Sequence, residues 1–217
     1  MGVDRTGARY IAVEGPIGVG KTALARRLAS EFGVPLILEQ GEDNPFLRRF
    51  YEDSRKHAFQ AQLFFLLERY RQQQELARHD ACRSGAVGDY LFAKDAIFAA
   101  LNLQPEELAL YEQVYTLLDA RIPRPDLVIY LEARPDVLLR RIRKRDRDFE
   151  RNISPVYLER LTEAFRNFFH RYTDAPLLVV NCSDIDFVEH GSDLADLIKE
   201  IRGMGQGVQH YIPLGSR

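Results

Sequence analysis

A glycine-rich segment near the start of the chain has the composition of a phosphate-binding loop. Residues 15–22 (GPIGVGKT) match the pattern G-x-x-x-x-G-K-[ST], between an apolar run at 10–13 and a helical pattern at 23–32. Glycines let backbone N–H groups turn inward around an anion, the lysine adds a cation at the β- and γ-phosphates, and the threonine hydroxyl can ligate Mg²⁺. The sequence therefore predicts a nucleoside triphosphate site formed by Gly15, Gly18, Val19, Gly20, Lys21 and Thr22.

The rest of the chain indicates which class of phosphate-loop protein this is. A signalling GTPase would carry an N-K-x-D guanine reader, which the sequence lacks. An ATPase motor would carry an Asp directly after a four-residue apolar strand, and only residues 86–89 (AVGD) come near that pattern. A small-molecule kinase needs a general base, an acceptor pocket and a mobile arginine lid, and the chain contains a candidate for each.

Glu39 is the candidate carboxylate beside the phosphate loop. It follows the apolar run at 35–38, which predicts a second strand, and the carboxyl ends of parallel strands share the sheet edge where ligands bind. Phosphoryl transfer is loose, so little proton removal is needed before the bond to the leaving group breaks. We therefore expect the position of Glu39 to matter more than its basicity.

Polar side chains on the next segment could bind a nucleoside. Gln62 and Arg69 are seven residues apart, two helical turns along one face, and Tyr51 lies eleven residues before Gln62. Gln can pair with a donor and an acceptor of a base, Arg can fork onto purine O6 or N7, and Tyr can hold a sugar hydroxyl. Phe64 and Phe65 lie between them, and either could stack on a base, although helical core is the better default.

A basic segment after the fourth predicted strand could close over the phosphates. Seven of the twelve residues at 140–151 are Lys or Arg, interrupted by Asp146, Asp148 and Glu150. The interleaved acids and the formal net charge of −2 argue against a nucleic-acid partner. Arginine is permanently charged and planar, so it can fork onto phosphate oxygens as charge spreads in a transition state. We expect an arginine-rich lid at about 141–152.

The elements that position these residues follow from the hydrophobic pattern. Short apolar runs alternate with longer helical patterns, which predicts strands buried on both faces and joined by helices. The runs lie at 10–13, 35–38, 86–87, 127–131 and 177–180. We expect one α/β phosphate-loop kinase domain over residues 1–217, with a doubly wound, five-stranded parallel sheet, flanking helices and a flexible tail at about 203–217.

Composition excludes several other classes of protein. With 217 residues, 46% of them hydrophobic and 29% charged, the chain is neither collagen-like, low-complexity nor wholly disordered. Its longest apolar run, at 96–101, has six residues, whereas a membrane span needs about 20. No apolar signal segment opens the chain, and Cys82 and Cys182 lie 100 positions apart, which predicts a cytosolic protein without a membrane partner.

In the order of these motifs the chain resembles the deoxynucleoside kinase family, particularly its bacterial purine deoxynucleoside kinases. The resemblance spans almost the whole chain. It rests on the phosphate loop and on residues 39–45, 51–69, 89–98, 141–150 and 186–187. It implies ATP- and Mg²⁺-dependent phosphorylation of the 5′-hydroxyl of a purine deoxynucleoside. Relatives are commonly homodimers, and the apolar helical pattern at 108–118 could form that interface.

The resemblance also implies roles for individual residues. Glu39 would contact the 5′-hydroxyl as general base, Glu150 would hold the 3′-hydroxyl, and Asp95 with Arg69 would separate purines from pyrimidines. The acceptor contacts would come from Glu39, Tyr51, Gln62, Arg69, Tyr90, Lys94, Asp95 and Glu150. The donor adenine and the transferring phosphoryl group would be contacted by Arg141, Arg145, Arg147, Asp186 and Phe187. The catalytic set would be Lys21, Glu39, Asp89, Arg145 and Arg147.

One stretch departs from the family pattern. Asp89-Tyr90-Leu91 stands where most relatives carry Asp or Glu, then Arg, then Ser or Thr, so the Arg that clamps the 5′-oxygen is missing. Asp89 remains, either to bind Mg²⁺ with Thr22 or to accept a proton near the acceptor. Lys94 lies one helical turn further on, and we expect it to return the missing charge. The deoxyguanosine-specific bacterial branch has a similar Asp-Tyr with a later Lys, which favours deoxyguanosine.

Other functions remain open at this level. Deoxyadenosine, or a broader set of deoxynucleosides, could be the acceptor, because Arg69 and Asp95 do not distinguish guanine from adenine. A nucleoside monophosphate kinase would need a second basic clamp, and the sequence shows no convincing one outside the lid. A nucleotide-sensing module without catalysis would not release ADP when a nucleoside is added.

Overall fold

A six-stranded parallel sheet forms the centre of the protein, whose computed structural model describes residues 10–40, 43–78, 85–147, 150, 153–185, 187 and 191–213. The strands are β1 (Tyr10–Glu14), β2 (Leu36–Ile37), β3 (Ala86–Gly88), β4 (Leu127–Glu132), β5 (Leu177–Asn181) and β6 (Val208–Tyr211). They lie in the order β2-β3-β1-β4-β5-β6, and each neighbouring pair is parallel.

Helices connect the strands and cover the sheet. They are α1 (Lys21–Phe32), α2 (Leu47–Glu52), α3 (Ser54–Arg78), α4 (Lys94–Asn102), α5 (Pro105–Asp119), α6 (Pro135–Arg145), α7 (Pro155–His170) and α8 (Gly191–Gly203). Alternate residues of β1 enter different hydrophobic clusters: Ile11 and Val13 pack in one and Ala12 in another. Strands buried on both faces need helices on both faces, and the expected α/β, doubly wound class is confirmed.

The sheet has one strand more than the sequence predicts. Val208–Tyr211 pair with β5 from Leu177 to Val180, although the segment after residue 203 was expected to form a flexible tail. The backbone hydrogen bonds to β5 do not depend on composition, and Tyr211 adds a contact with the core. A strand of four residues after a Gly-rich turn has too little periodicity to stand out in the sequence.

The phosphate loop lies where the strand order reverses around β1. The chain passes from β1 to β2 and β3 on one side and then to β4 on the other, which leaves a crevice at the carboxyl end of β1. A Cβ on Gly15 would lie 2.3 Å from the Leu131 carbonyl oxygen, and one on Gly18 would lie 2.9 Å from that of Leu138. Glycine therefore lets the loop pack directly against β4 and α6, the first part of the lid segment.

Among the residues that the structure describes, no helix is both long and apolar enough to cross a bilayer.

Candidate active site

A single cavity of about 690 Å³ joins the phosphate loop to helix α3 and the lid segment. Most of the residues predicted to do chemistry line it. They are Gly18, Val19, Gly20, Lys21, Thr22, Glu39, Tyr51, Gln62, Arg69, Asp89, Lys94, Arg141, Arg145, Arg147, Glu150 and Phe187. The structure thus brings together side chains from both halves of the sheet, and their individual roles stay predictions.

The phosphate loop presents Lys21 at the end of the cavity beside β1. Its ammonium group donates to the carbonyl oxygen of Gly15 at 2.7 Å and to that of Pro16 at 3.2 Å. Burial lowers the pKa of Lys21 to about 8, although the negative charge of Glu14 raises this pKa in part. Gly15 does not line the cavity but supplies this carbonyl from beneath the loop.

Asp89 connects the phosphate loop to the candidate acceptor site. One carboxylate oxygen accepts a hydrogen bond from the Thr22 hydroxyl at 2.6 Å, and the other accepts from the backbone N–H of Glu39 at 2.7 Å. The ends of β2 and β3 and the start of α1 therefore meet at one side chain. Adjacent carboxylate and hydroxyl oxygens are ligands that suit Mg²⁺, so these two residues fit the predicted metal site.

Glu39 lies between two cations on the cavity wall. Its Oε2 accepts from the Lys94 ammonium group at 2.7 Å, and its Oε1 accepts from Arg69 Nε at 2.7 Å. Burial alone would raise the pKa of Glu39, but the charges of Arg69 and Lys94 outweigh it and hold this pKa well below its usual range. Glu39 is thus a fixed, ionised hydrogen-bond acceptor, and Lys94 brings a cation to it.

Asp95 lies against the two candidate base readers, and its role as a substrate contact stays a prediction. Its side chain is fully buried behind α3, where it pairs with Arg69 and accepts from the Gln62 amide nitrogen. The same nitrogen donates to the Asp95 carbonyl oxygen at 3.1 Å. Burial raises the pKa of Asp95 to about 6, although the positive charge of Arg69 lowers this pKa in part. Asp95 therefore holds the side chains of both candidate base readers, Gln62 and Arg69.

Tyr90 is not among the residues that line the cavity, and its role as a substrate contact stays a prediction. The side chain is completely buried, and its hydroxyl accepts from Gln73 Nε2 at 3.1 Å. The same nitrogen donates to the Tyr10 hydroxyl at 3.0 Å. Tyr90 therefore joins α3 to the sheet through Gln73, while Lys94 occupies the side facing Glu39.

The lid segment is tied to the rest of the site by its arginines. Arg141 donates to the carbonyl oxygens of Val19 at 3.3 Å, Cys182 at 3.0 Å and Ile185 at 2.9 Å. This arginine therefore connects α6 with the phosphate loop and with the segment after β5. Arg141 lines the cavity from this position.

Arg145 and Glu150 form an ion pair across the end of α6. Arg145 Nη2 donates to Glu150 Oε1 at 2.6 Å, and Glu150 is buried. Arg147 also reaches the cavity wall. Because the residues at 148–149 and 151–152 lie outside the described ones, the structure defines the predicted lid only in part.

The predicted donor-base residues are described only in part. The Phe187 ring packs on the phosphate loop, where a Cβ on Gly20 would come within 3.1 Å of it. Asp186, the other predicted residue, lies outside the described residues. Phe65 lines the opposite end of the cavity, and the Arg69 guanidinium lies 4.9 Å from the centre of its ring. Stacking of Phe65 on a base stays a prediction.

Some cavity residues are absent from the sequence predictions. Tyr157 lines the wall near Tyr51, and its hydroxyl accepts from Asn102 Nδ2 at 3.3 Å. Burial raises the pKa of both tyrosines above its usual range. Tyr157 belongs to the first turn of α7, where the Ser154 hydroxyl accepts from its backbone N–H at 3.1 Å. A capping serine is a sequence signal for a helix start but not for its place beside a cavity. Arg26 also lines the cavity and was missed because it looks like an ordinary charged residue of a helix.

Comparison with known proteins identifies the family of the chain. The family model for deoxynucleoside kinase matches residues 11–204. A deoxyguanosine kinase of Bacillus subtilis (strain 168) is 38% identical over 200 residues, which cover 90% of this chain and 97% of that protein. A deoxyadenosine kinase of Dictyostelium discoideum is 35% identical over 198 residues, covering 88% of this chain and 78% of that protein.

A solved structure is similar over the same part of the chain. The deoxyadenosine kinase from M. mycoides with dCMP and dCDP bound aligns with a TM-score of 0.77 at 24% identity, covering 90% of this chain and all of that one. At this identity the similarity establishes the fold, while the family rests on the sequence match over residues 11–204. The expected resemblance is confirmed, and the chain belongs to the deoxynucleoside kinase family of phosphotransferases.

Proposed function

We propose that the protein transfers the γ-phosphoryl group of ATP to the 5′-hydroxyl of a purine deoxynucleoside, with deoxyguanosine preferred. One observation carries this proposal: Glu39 lies on the cavity wall between Lys94 and Arg69 while its backbone is tied through Asp89 to Thr22 of the phosphate loop. A hydroxyl that donates to Glu39 would therefore lie next to the bound phosphates.

The donor side of the cavity is built for phosphate charge. The phosphate loop would hold the triphosphate, with Lys21 at its β- and γ-phosphates. Mg²⁺ bound by Thr22 and Asp89 would neutralise charge on the phosphate oxygens. Arg145 and Arg147 line the cavity from the lid side and would stabilise the charge that spreads during in-line transfer.

The acceptor side offers a fixed pair of hydrogen-bonding groups. Both hydrogen bonds of the Gln62 amide nitrogen go to Asp95, which leaves Gln62 Oε1 as an acceptor for the base. Arg69 keeps further N–H donors beyond those engaged by Glu39 and Asp95. Guanine fits this pair with O6 or N7 toward Arg69 and N1–H toward Gln62, and Tyr51 and Glu150 would hold the sugar.

The preference for guanine over adenine rests on sequence similarity and not on the base-reading side chains. Adenine can also present a donor to Gln62 and an acceptor to Arg69, so this pair does not distinguish guanine from adenine. The Asp-Tyr sequence with a later Lys, and the 38% identity to a deoxyguanosine kinase, favour guanine. The 35% identity to a deoxyadenosine kinase keeps deoxyadenosine as the alternative acceptor.

The substrate prediction is tested by comparing four nucleosides. Deoxyguanosine, deoxyadenosine, deoxycytidine and thymidine are incubated separately with ATP, Mg²⁺ and the protein, and 5′-monophosphate formation is measured by chromatography. We expect the highest kcat/KM with deoxyguanosine.

Glu39→Gln, which keeps the shape but loses the charge that holds the hydroxyl, is expected to lower kcat about 10²-fold or more. Preference for deoxyadenosine would contradict the guanine assignment alone, and no product from any nucleoside would contradict the proposed function.

The role of Lys94 is tested by removing its charge. We expect Lys94→Met to lower kcat with the preferred nucleoside by about 10² to 10³, because the acceptor carboxylate loses one of its two cations and the missing family Arg has no other substitute. Lys199→Met, at an exposed lysine on α8, is the matched control and should keep wild-type turnover. Unchanged turnover in a correctly folded Lys94→Met protein would refute the role.

We further propose a homodimer formed through helix α5. Its Leu110 and Leu117 are two turns apart on one face and are 52% and 71% exposed. Light scattering should give twice the chain mass of 25.0 kDa. Leu117→Glu should shift the protein to the monomer, whereas Val156→Glu, at an apolar residue of α7 that is 64% exposed, should not. A monomeric wild-type protein would contradict the proposal.

A further inference from the structure

Glu14 is a buried carboxylate that has no part in the roles described so far. It is the last residue of β1, directly before the phosphate loop, and its side chain is completely buried. Its Oε1 accepts the backbone N–H of Gly15 at 2.8 Å, and its Oε2 accepts the backbone N–H of Leu91 at 2.8 Å. One side chain thus joins the first residue of the phosphate loop to the segment that follows β3.

The segment held by Glu14 leads directly to Lys94. The carbonyl oxygen of Leu91 accepts the backbone N–H of Lys94 at 3.1 Å, which begins the first turn before α4. The Lys94 ammonium group then donates to Glu39 at 2.7 Å. Three hydrogen bonds therefore connect Glu14 to the acceptor carboxylate through Leu91 and Lys94.

Only a carboxylate can make both contacts of Glu14. An isosteric Gln has one oxygen and one NH₂ group, so one of the two backbone N–H groups would face another donor inside the core. Burying a charged group is also costly, because it loses its contacts with water. Burial raises the pKa of Glu14, while the charges of Lys94 and Lys21 and the two N–H bonds oppose that rise. With a backbone N–H on each of its oxygens, Glu14 fixes the position of both segments that it contacts.

We propose that Glu14 is a positioning residue that sets the place of Lys94, and through it of Glu39, relative to the phosphate loop. The inference rests on the proposed kinase chemistry at Glu39. Glu14 does not line the cavity, so it acts through these neighbours and not by touching either substrate.

A double-mutant cycle between Glu14 and Lys94 tests the proposal. Glu14→Gln, Lys94→Met and the double variant are compared with the wild type in single-turnover phosphorylation, and nucleoside dissociation constants are measured by calorimetry. Glu31→Gln, at an exposed residue of α1, is the matched control and should keep wild-type turnover. The Lys94 Cε–Nζ signal is followed in parallel by NMR, with the exposed Lys199 as reference.

We expect Glu14→Gln to lower the turnover rate at least tenfold, to change the nucleoside dissociation constant less than threefold, and to shift the Lys94 signal. In the Lys94→Met background the same change should cost less than threefold, because the two residues act in one chain. If the turnover rate of Lys94→Met is too low to detect, the cycle cannot be completed. The NMR signal of Lys94 then decides, and the proposal requires that it shifts in Glu14→Gln.

Other results would overturn the proposal. These are turnover of Glu14→Gln within twofold of wild type, an equal loss in both backgrounds, or an unmoved Lys94 signal. Should Glu14→Gln fail to fold, Glu14→Asp takes its place in the cycle, since it keeps the charge but shortens the reach. Failure of both to fold would assign Glu14 to the folding core alone. A wild-type protein without activity on any nucleoside would instead contradict the proposed function, so the two failures are distinguishable.

Discussion

The carboxylate of Asp89 holds the two halves of the active site together. Its two oxygens accept hydrogen bonds from the Thr22 side chain and the Glu39 backbone, so the phosphate loop and the acceptor carboxylate keep a fixed separation. Parallel strands make this possible, because β1, β2 and β3 all end at the same edge of the sheet. Phosphoryl transfer depends mainly on positioning and charge, and this short bridge supplies the positioning.

Charge in the cavity is arranged around one ionised acceptor. Glu39 is flanked by Lys94 and Arg69, and Asp95 holds Arg69 from the buried side. With its pKa held well below the usual range, Glu39 is a weak base but a strong hydrogen-bond acceptor for a hydroxyl. This agrees with a loose transition state, in which the acceptor proton leaves late and orientation matters more than proton affinity.

Much of this site is predictable from local sequence. The phosphate loop, Glu39 and Lys94 follow from short motifs, from strand ends and from helical spacing, because each property is local to a few residues. The complete burial of Tyr90 and Asp95 was not predictable, because sequence position does not tell which side of the backbone faces the core. Tyr157 and the strand β6 were missed because tertiary contacts, and not their own sequence, give them their place.

The structure of the protein with deoxyguanosine and a non-hydrolysable ATP analogue tests the central claim most directly. The account predicts that the 5′-oxygen lies within hydrogen-bond distance of the Glu39 carboxylate, in line with the γ-phosphate above Lys21, while Asp89 still contacts the Glu39 backbone. A nucleoside whose 5′-oxygen points away from Glu39, or a Glu39 that leaves Asp89 when both substrates bind, would contradict it.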